Sequence, residues 1–258
     1  MAYTMEYPTK DLFYNLLVQT PLDDVCKNKL GNIPFSKNVM DAVYPVSLVS
    51  SFKQNYVKAE CVGIDIPVLM QTAPDNSNGK TIVIVGQSPL RTPKCKSSPG
   101  GALVGCPFGV SQQMGIPSQC DVYKLIFQKL MNKGFTLYIT DAVKVWFTSK
   151  NKLKPSNNDE MIFLKEIARI SSLYKIDAII SWGKTAEYFV KSLPIGKNHQ
   201  PNIIHLMHPG ILNWDRWKLS LFEEAVYNNN PQLASQYYPN NNTSSSADIV
   251  SDLVVRKI

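Results

Sequence analysis

Four short turns hold most of the residues able to do chemistry. The first runs Val85-Gly86-Gln87-Ser88-Pro89-Leu90-Arg91, and the second Ile139-Thr140-Asp141-Ala142-Val143-Lys144. The third is Ser181-Trp182-Gly183-Lys184-Thr185-Ala186, and the fourth His208-Pro209-Gly210-Ile211-Leu212. Gly86 directly follows a β-branched run, and with no Cβ it lets the backbone approach a ligand closely. Asp141 puts a carboxylate at the end of a strand, and an ionised carboxylate only accepts hydrogen bonds. Ser88 offers a hydroxyl, a poor base that carries no charge. A further segment, Gly105-Cys106-Pro107-Phe108-Gly109-Val110-Ser111, adds the flat apolar ring of Phe108. Plainer uses stand beside these. Phe108 can be core packing, Asp141 a cap on its own turn, His208 a satisfied structural histidine and Leu212 an ordinary loop leucine.

The turns need elements to hold them. Thr81-Ile82-Val83-Ile84-Val85 is a short, continuous, β-branched run, the pattern of a strand covered on both faces. Residues 135–140, 176–181 and 202–207 read as three more strands. Helices lie between them. Residues 121–133 set Val122, Leu125, Ile126 and Leu130 on one stripe, and 158–174 do the same with Met161, Leu164, Ala168 and Leu173. Residues 183–193 and 215–227 are the other two. Alternation of this kind predicts an α/β fold of three layers, α/β/α, around a central four-stranded parallel sheet. Ligands in such folds bind beyond the carboxyl ends of the strands, where all four turns fall.

Residues 1–60 read as a mostly helical lead-in, with candidates at 7–18 and 37–59, the second interrupted by Pro45. From Asn228 the chain turns polar, and the Asn- and Ser-rich run 239–246 reads as a flexible linker. Residues 249–255 are apolar enough to dock back as a strand or short helix. The expectation is one domain over 1–228 and a tail over 229–258.

The 258 residues carry a formal net charge of +7 and a pI of about 9.0, a balance that favours polyanions. No apolar run approaches the roughly 20 residues that span a bilayer, and the N-terminus lacks the apolar centre of a signal peptide. Five cysteines, an odd number without C-x-x-C spacing, fit a reducing intracellular compartment, cytoplasm or nucleus/nucleoid. His199, His205 and His208 form no convincing zinc set, and His205, inside a strand, is expected to be buried. Basic residues mix with aromatics around the turns: Arg91, Lys94 and Lys96; Lys144 with Trp146 and Phe147; and Trp214, Arg216 and Trp217. That mixture suits contact with phosphates and bases together, and a solvated loop is its bland alternative.

In order, placement and approximate spacing, from about residue 80 to 220, these motifs resemble those of the uracil-DNA glycosylase superfamily. In that family a Gly-Gln-Asp-Pro-type turn opens the active site and a Phe stacks on a flipped-out base. An Asn at the next strand end reads the base edge, and a His-Pro-Ser-type turn closes the site. The resemblance implies that Gly86 and Gln87 line the pocket with backbone amides, that Phe108 stacks on the base, and that His208 donates a hydrogen bond to the base carbonyl as charge builds on the leaving ring. Leu212 would be the wedge that fills the gap in the stack. Arg91, Lys144 and Arg216 would contact DNA, single- or double-stranded. It further implies a monomer that cleaves N-glycosidic bonds in base-excision repair without a cofactor. Branches with an iron–sulfur cluster use a closely spaced N-terminal cysteine pair, and Cys26 has no near partner, so no cluster is expected.

Two departures qualify the resemblance. Ser88 stands where the family often has the Asp or Asn that positions the attacking water, which implies a lower rate. Asp141 stands where an Asn would read uracil, and a carboxylate there repels the O4 carbonyl but suits an exocyclic amine. The expectation is therefore a glycosylase-like protein with an altered pocket, with Asp141 the one carboxylate able to take over from Ser88. The alternative is a weakened or inactive base-binding protein of the same fold, or an interaction partner in defence or repair.

Overall fold

A computed structural model describes residues 3–6, 43–44, 62–65, 67–72, 77–88, 102–105, 107–109, 121–143, 145–147, 157–194, 200–207 and 243–258. The main sheet is built on β5 (Thr81–Gly86), whose six residues are all buried. On one side of β5 lies β7 (Thr136–Asp141), and on the other β9 (Ile176–Trp182), followed by β10 (Asn202–Leu206). These four strands run parallel. Between β5 and β7 the chain passes through α1 (Asp121–Asn132), between β7 and β9 through α2 (Asn157–Leu173), and between β9 and β10 through α3 (Lys184–Lys191). A helical crossover returns the chain to the same end of the sheet, which is what parallel pairing requires.

The four strands read from the sequence are therefore present and parallel, but the sheet does not stop with them. Two antiparallel strands, β4 (Val68–Thr72) and β1 (Tyr3–Glu6), extend it beyond β7, giving six strands in the order β1-β4-β7-β5-β9-β10. The fold is a mixed α/β fold rather than one on a purely parallel four-stranded sheet. A second sheet, absent from the sequence reading, joins β2 (Val43–Tyr44), β6 (Ala102–Gly105), β3 (Val62–Asp65) and β8 (Val145–Phe147) in the order β2-β6-β3-β8. Strand β2 falls inside the helical candidate 37–59 and corrects it there, and β1 likewise interrupts the helical lead-in. The helices expected at 7–18 and 215–227 lie outside the described residues.

Alternate residues of a strand face opposite ways, and the two faces of this sheet are both covered. Val83 and Val85 of β5, Tyr138 of β7 and Ile179 of β9 pack against Phe163, Ile167 and Ile170 of α2 and Ala186, Phe189 and Val190 of α3. On the other face Trp182, at the end of β9, meets Tyr123 and Phe127 of α1 at ring-centroid distances of 4.9 and 6.0 Å. A last helix, α4 (Thr243–Lys257), packs on α1. Its Ala247, Val250, Leu253 and Val254 are buried, and Lys129 of α1 and Lys133 just past its end pair with Asp248 and Asp252. Residues 243–246, read from the sequence as linker, are its first turn. The apolar segment 249–255 does dock back, as a helix.

Candidate functional site

The carboxyl ends of β5 and β7 are locked together. Gly86 and Asp141 are register partners, the Ala142 amide donates to the Gly86 carbonyl at 2.8 Å, and the Val143 amide donates to the Gln87 carbonyl at 3.0 Å. A Cβ built on Gly86 would lie 2.1 Å from Asp141 Oδ1 and 2.9 Å from Phe108 Cζ. Only glycine fits, because the carboxylate and the aromatic ring both press on that position. Three residues from distant parts of the sequence thus converge on one point at the strand ends.

Phe108 reaches it by an unusual route. It follows β6 in a short 3-10 turn, with φ of 55° and ψ of 13°, the left-handed region that a bulky side chain enters at a cost of roughly 1–2 kcal/mol. Packing offsets that cost. The half-buried ring lies 4.5 Å from Tyr123, 5.7 Å from Phe127 and 5.3 Å from Trp182 between centroids. Such tilted and edge-on pairs each contribute about 0.5–1.5 kcal/mol beyond area burial. The packing use of Phe108 is seen in that aromatic cluster, and the ring is still not fully covered.

Asp141 is 3% exposed. The strand that presents it is fixed from behind. On the opposite face of β7, Tyr138 Oη and Thr140 Oγ1 both donate to Oε1 of Glu166 on α2, at 2.8 and 2.7 Å. Burial, helped by the Glu166 charge and the hydrogen bond to it, holds the Tyr138 phenol well above its usual value, so it remains a donor at any pH the protein meets.

Gln87 has a different job from the one expected of its surroundings. Its carboxamide turns towards α3, where its Oε1 accepts a 3.4 Å hydrogen bond from the Thr185 amide. Gly183, with φ of 86°, precedes that helix and has no side chain to cap it. A Cβ on Gly183 would come 2.6 Å from Gln87 Cδ, so the missing side chain makes room for the borrowed cap. The Gly183 amide in turn donates to the Leu206 carbonyl at 2.8 Å, tying the third turn to the end of β10. Ser88 is exposed.

The remaining expected site residues, Arg91, Lys144, His208, Leu212 and Arg216, lie outside the described residues, as do all five cysteines. His205 is described and corrects its expectation. It sits in β10 as predicted but is exposed, β10 being the last strand of the sheet among the described residues; its Nδ1 meets the Ser181 hydroxyl. Among the described residues no group of three or more His, Cys, Asp or Glu side chains is placed to hold a metal. Nor is any of their helices long and apolar enough to cross a membrane.

Two features had no sequence signal that singled them out. Tyr123 and Trp182 back Phe108, yet one is an ordinary helix-stripe residue and the other an ordinary strand-end aromatic. Asp65, 2% exposed, ends β3 in register with Gly105, three residues before Phe108. Strand β4 follows at once and pairs antiparallel with β7 at Val68 and Ile139, so Asp65 lies at the same end of the main sheet as Asp141. A family match would have pointed to such residues, but no family model matches this chain, and no curated protein matches it significantly.

Proposed function

We propose that this protein binds a flipped-out nucleobase in DNA and hydrolyses its N-glycosidic bond. The observation that carries the reading is the meeting of Gly86, Phe108 and Asp141 at the ends of two parallel strands. A glycine that keeps a wall thin, an aromatic ring and a buried acceptor are what a planar heterocycle needs once it has lost its neighbours in the duplex. The net charge of +7 supplies the general attraction to phosphate. In this reading His208 donates to the leaving ring, Leu212 wedges the stack, and Arg91, Lys144 and Arg216 hold the backbone. Asp141 accepts from an exocyclic amine, so plain uracil is disfavoured.

The test is incubation with oligonucleotides carrying single uracil, cytosine, adenine and damaged bases, followed by alkali to cut at abasic sites. Strand cleavage dependent on the protein, and its loss in His208→Ala, is the expected result. Full activity in that variant would remove His208 from the mechanism, and a clear preference for uracil would remove the role given to Asp141.

One observation favours a second reading. Ser88 is exposed and provides no charge to hold a water or to balance a cationic sugar. A chain that binds modified single strands tightly but never yields abasic sites would be a base-binding module that has kept the fold and lost the hydrolysis.

A further inference from the structure

Helix α2 carries two apolar faces, and the sheet buries only one of them. Ile162, Phe163, Ile167 and Ile170 are buried. The stripe read from the sequence, Met161, Leu164, Ala168 and Leu173, is a different set. Met161 is 38% exposed and Leu173 54%, and Leu164, Ala168 and Leu173 line a groove of about 750 Å³. Its other walls include Leu193 and Pro194 past the end of α3 and Pro201 just before β10. The groove therefore lies at the amino ends of β9 and β10, away from Gly86 and Asp141 at the carboxyl ends of β5 and β7. A helix with one apolar face needs one partner, and a second apolar face calls for a second.

We propose that this face docks a second copy of the chain, α2 against α2, antiparallel about a two-fold axis at Ala168. Two observations favour a second copy over other occupants. The charges on the face are self-complementary. Glu160 stands in the first turn of α2, one turn before Leu164, and Lys175 follows the last turn and lines the groove. Lys175 meets Asp177 of its own copy at 3.4 Å yet is 69% exposed, and an ammonium has three donors. In an antiparallel pair each Glu160 comes opposite the Lys175 of the other copy, whereas a parallel pair sets like against like. The shapes interchange as well. Met161 and Lys175 stand equally far from Ala168, one before it and one after. The exposed thioether of one copy thus meets the groove of the other near Leu173, and methionine adapts well to irregular apolar hollows. Small Ala168 lets the two helix axes come close at the centre. This interface departs from the monomer that the resemblance implies, and it stands independently of the base site, at the other end of the strands.

Sedimentation equilibrium of the full chain over about 1 to 300 µM suits the weak association expected of so small an interface. The mass should rise with concentration from 28.9 kDa towards twice that value. Ala168→Glu, at an exposed position that keeps helix propensity, puts two like charges at the axis. It should weaken the dimer more than about tenfold while the melting temperature of the dilute protein stays unchanged. Glu160→Lys and Lys175→Glu should each weaken self-association by about tenfold, because symmetry counts every change twice. Mixed together, those two variants should pair again, since each contact across the axis regains opposite signs. A mass fixed at 28.9 kDa overturns the proposal, and a hydrophobic dye whose binding Ala168→Glu abolishes would then give the groove to an apolar ligand. A dimer that Ala168→Glu leaves intact overturns it by placing the contact on another face. Failure of the mixed variants to pair overturns the antiparallel arrangement. The mass measurement uses the wild-type protein, so it stands even if a variant fails to fold.

Discussion

Gly86 is the most constrained residue of the site. Gly86→Ala drives a methyl group to within 2.1 Å of Asp141 Oδ1, and the carboxylate has to move. The expected outcome is a stability loss of about 1–3 kcal/mol, typical of overpacking, and, under the proposed function, a loss of base binding larger than that loss of stability explains. Urea unfolding and nucleoside titration check the two parts. Chemistry at this scale was legible only in part. The placing of Gly86 and Asp141 at neighbouring strand ends was readable, because each closes an apolar run of the kind that forms a buried strand. The left-handed backbone of Phe108 and the inward turn of Gln87 were not, because both depend on neighbours far off in sequence. His205 shows the same limit: its strand was readable, its place at the edge of the described sheet was not.

That edge position gives His205 a pH signature. Partial burial against Ser181 holds the imidazole below its ordinary value of about 6.5; Glu187 works against this, while Lys191 and Lys257 add to it. The folded protein then binds fewer protons than the unfolded chain just below that value. Stability therefore falls as pH drops through that range, and the contribution is flat above it. His205→Gln should flatten the decline between about pH 6.5 and 5 relative to wild type, measured as melting temperature against pH. An unchanged profile would show that other groups dominate.

At the scale of elements, β7 carries two loads. One face presents Asp141, and the other is tied to α2 through Glu166, which takes two hydroxyl donors on one oxygen while fully buried. Glu166→Leu strands both hydroxyls without that acceptor and should cost about 2–5 kcal/mol, whereas Glu166→Gln, which keeps an acceptor, should cost less than half of that. Chemical denaturation of the pair distinguishes a lost network from simple loss of packing. Sequence made this sheet's centre plain, since strands covered on both faces carry unbroken β-branched runs such as Thr81–Val85. Its antiparallel margin was hidden. Strands β1, β4 and the two-residue β2 carry no continuous β-branched run, and only their pairing partners define them.

For the whole molecule, the C-terminal segment 243–258 is packed helix. A polar Asn- and Ser-rich run reads as linker, yet α4 begins within it and buries Ala247, Val250, Leu253 and Val254. The helix sits over α1, which supplies Tyr123 and Phe127 to the aromatic cluster. Removal of residues 243–258 uncovers that helix, and at about 25 cal/mol per Å² of apolar surface the loss amounts to several kcal/mol. A lower melting temperature with increased binding of a hydrophobic dye is expected. An unshifted melt would mean that α4 is dispensable.

The cross-ties among the strand ends form a continuous chain: β7 to β5 through Ala142 and Val143, β5 to α3 through Gln87, and β9 to β10 through Gly183. Loops braced in this way lose their freedom when the chain folds, not when a guest arrives. The described strand ends are therefore set in place in advance, and a ligand that met them would be spared the ordering cost that a floppy pocket imposes.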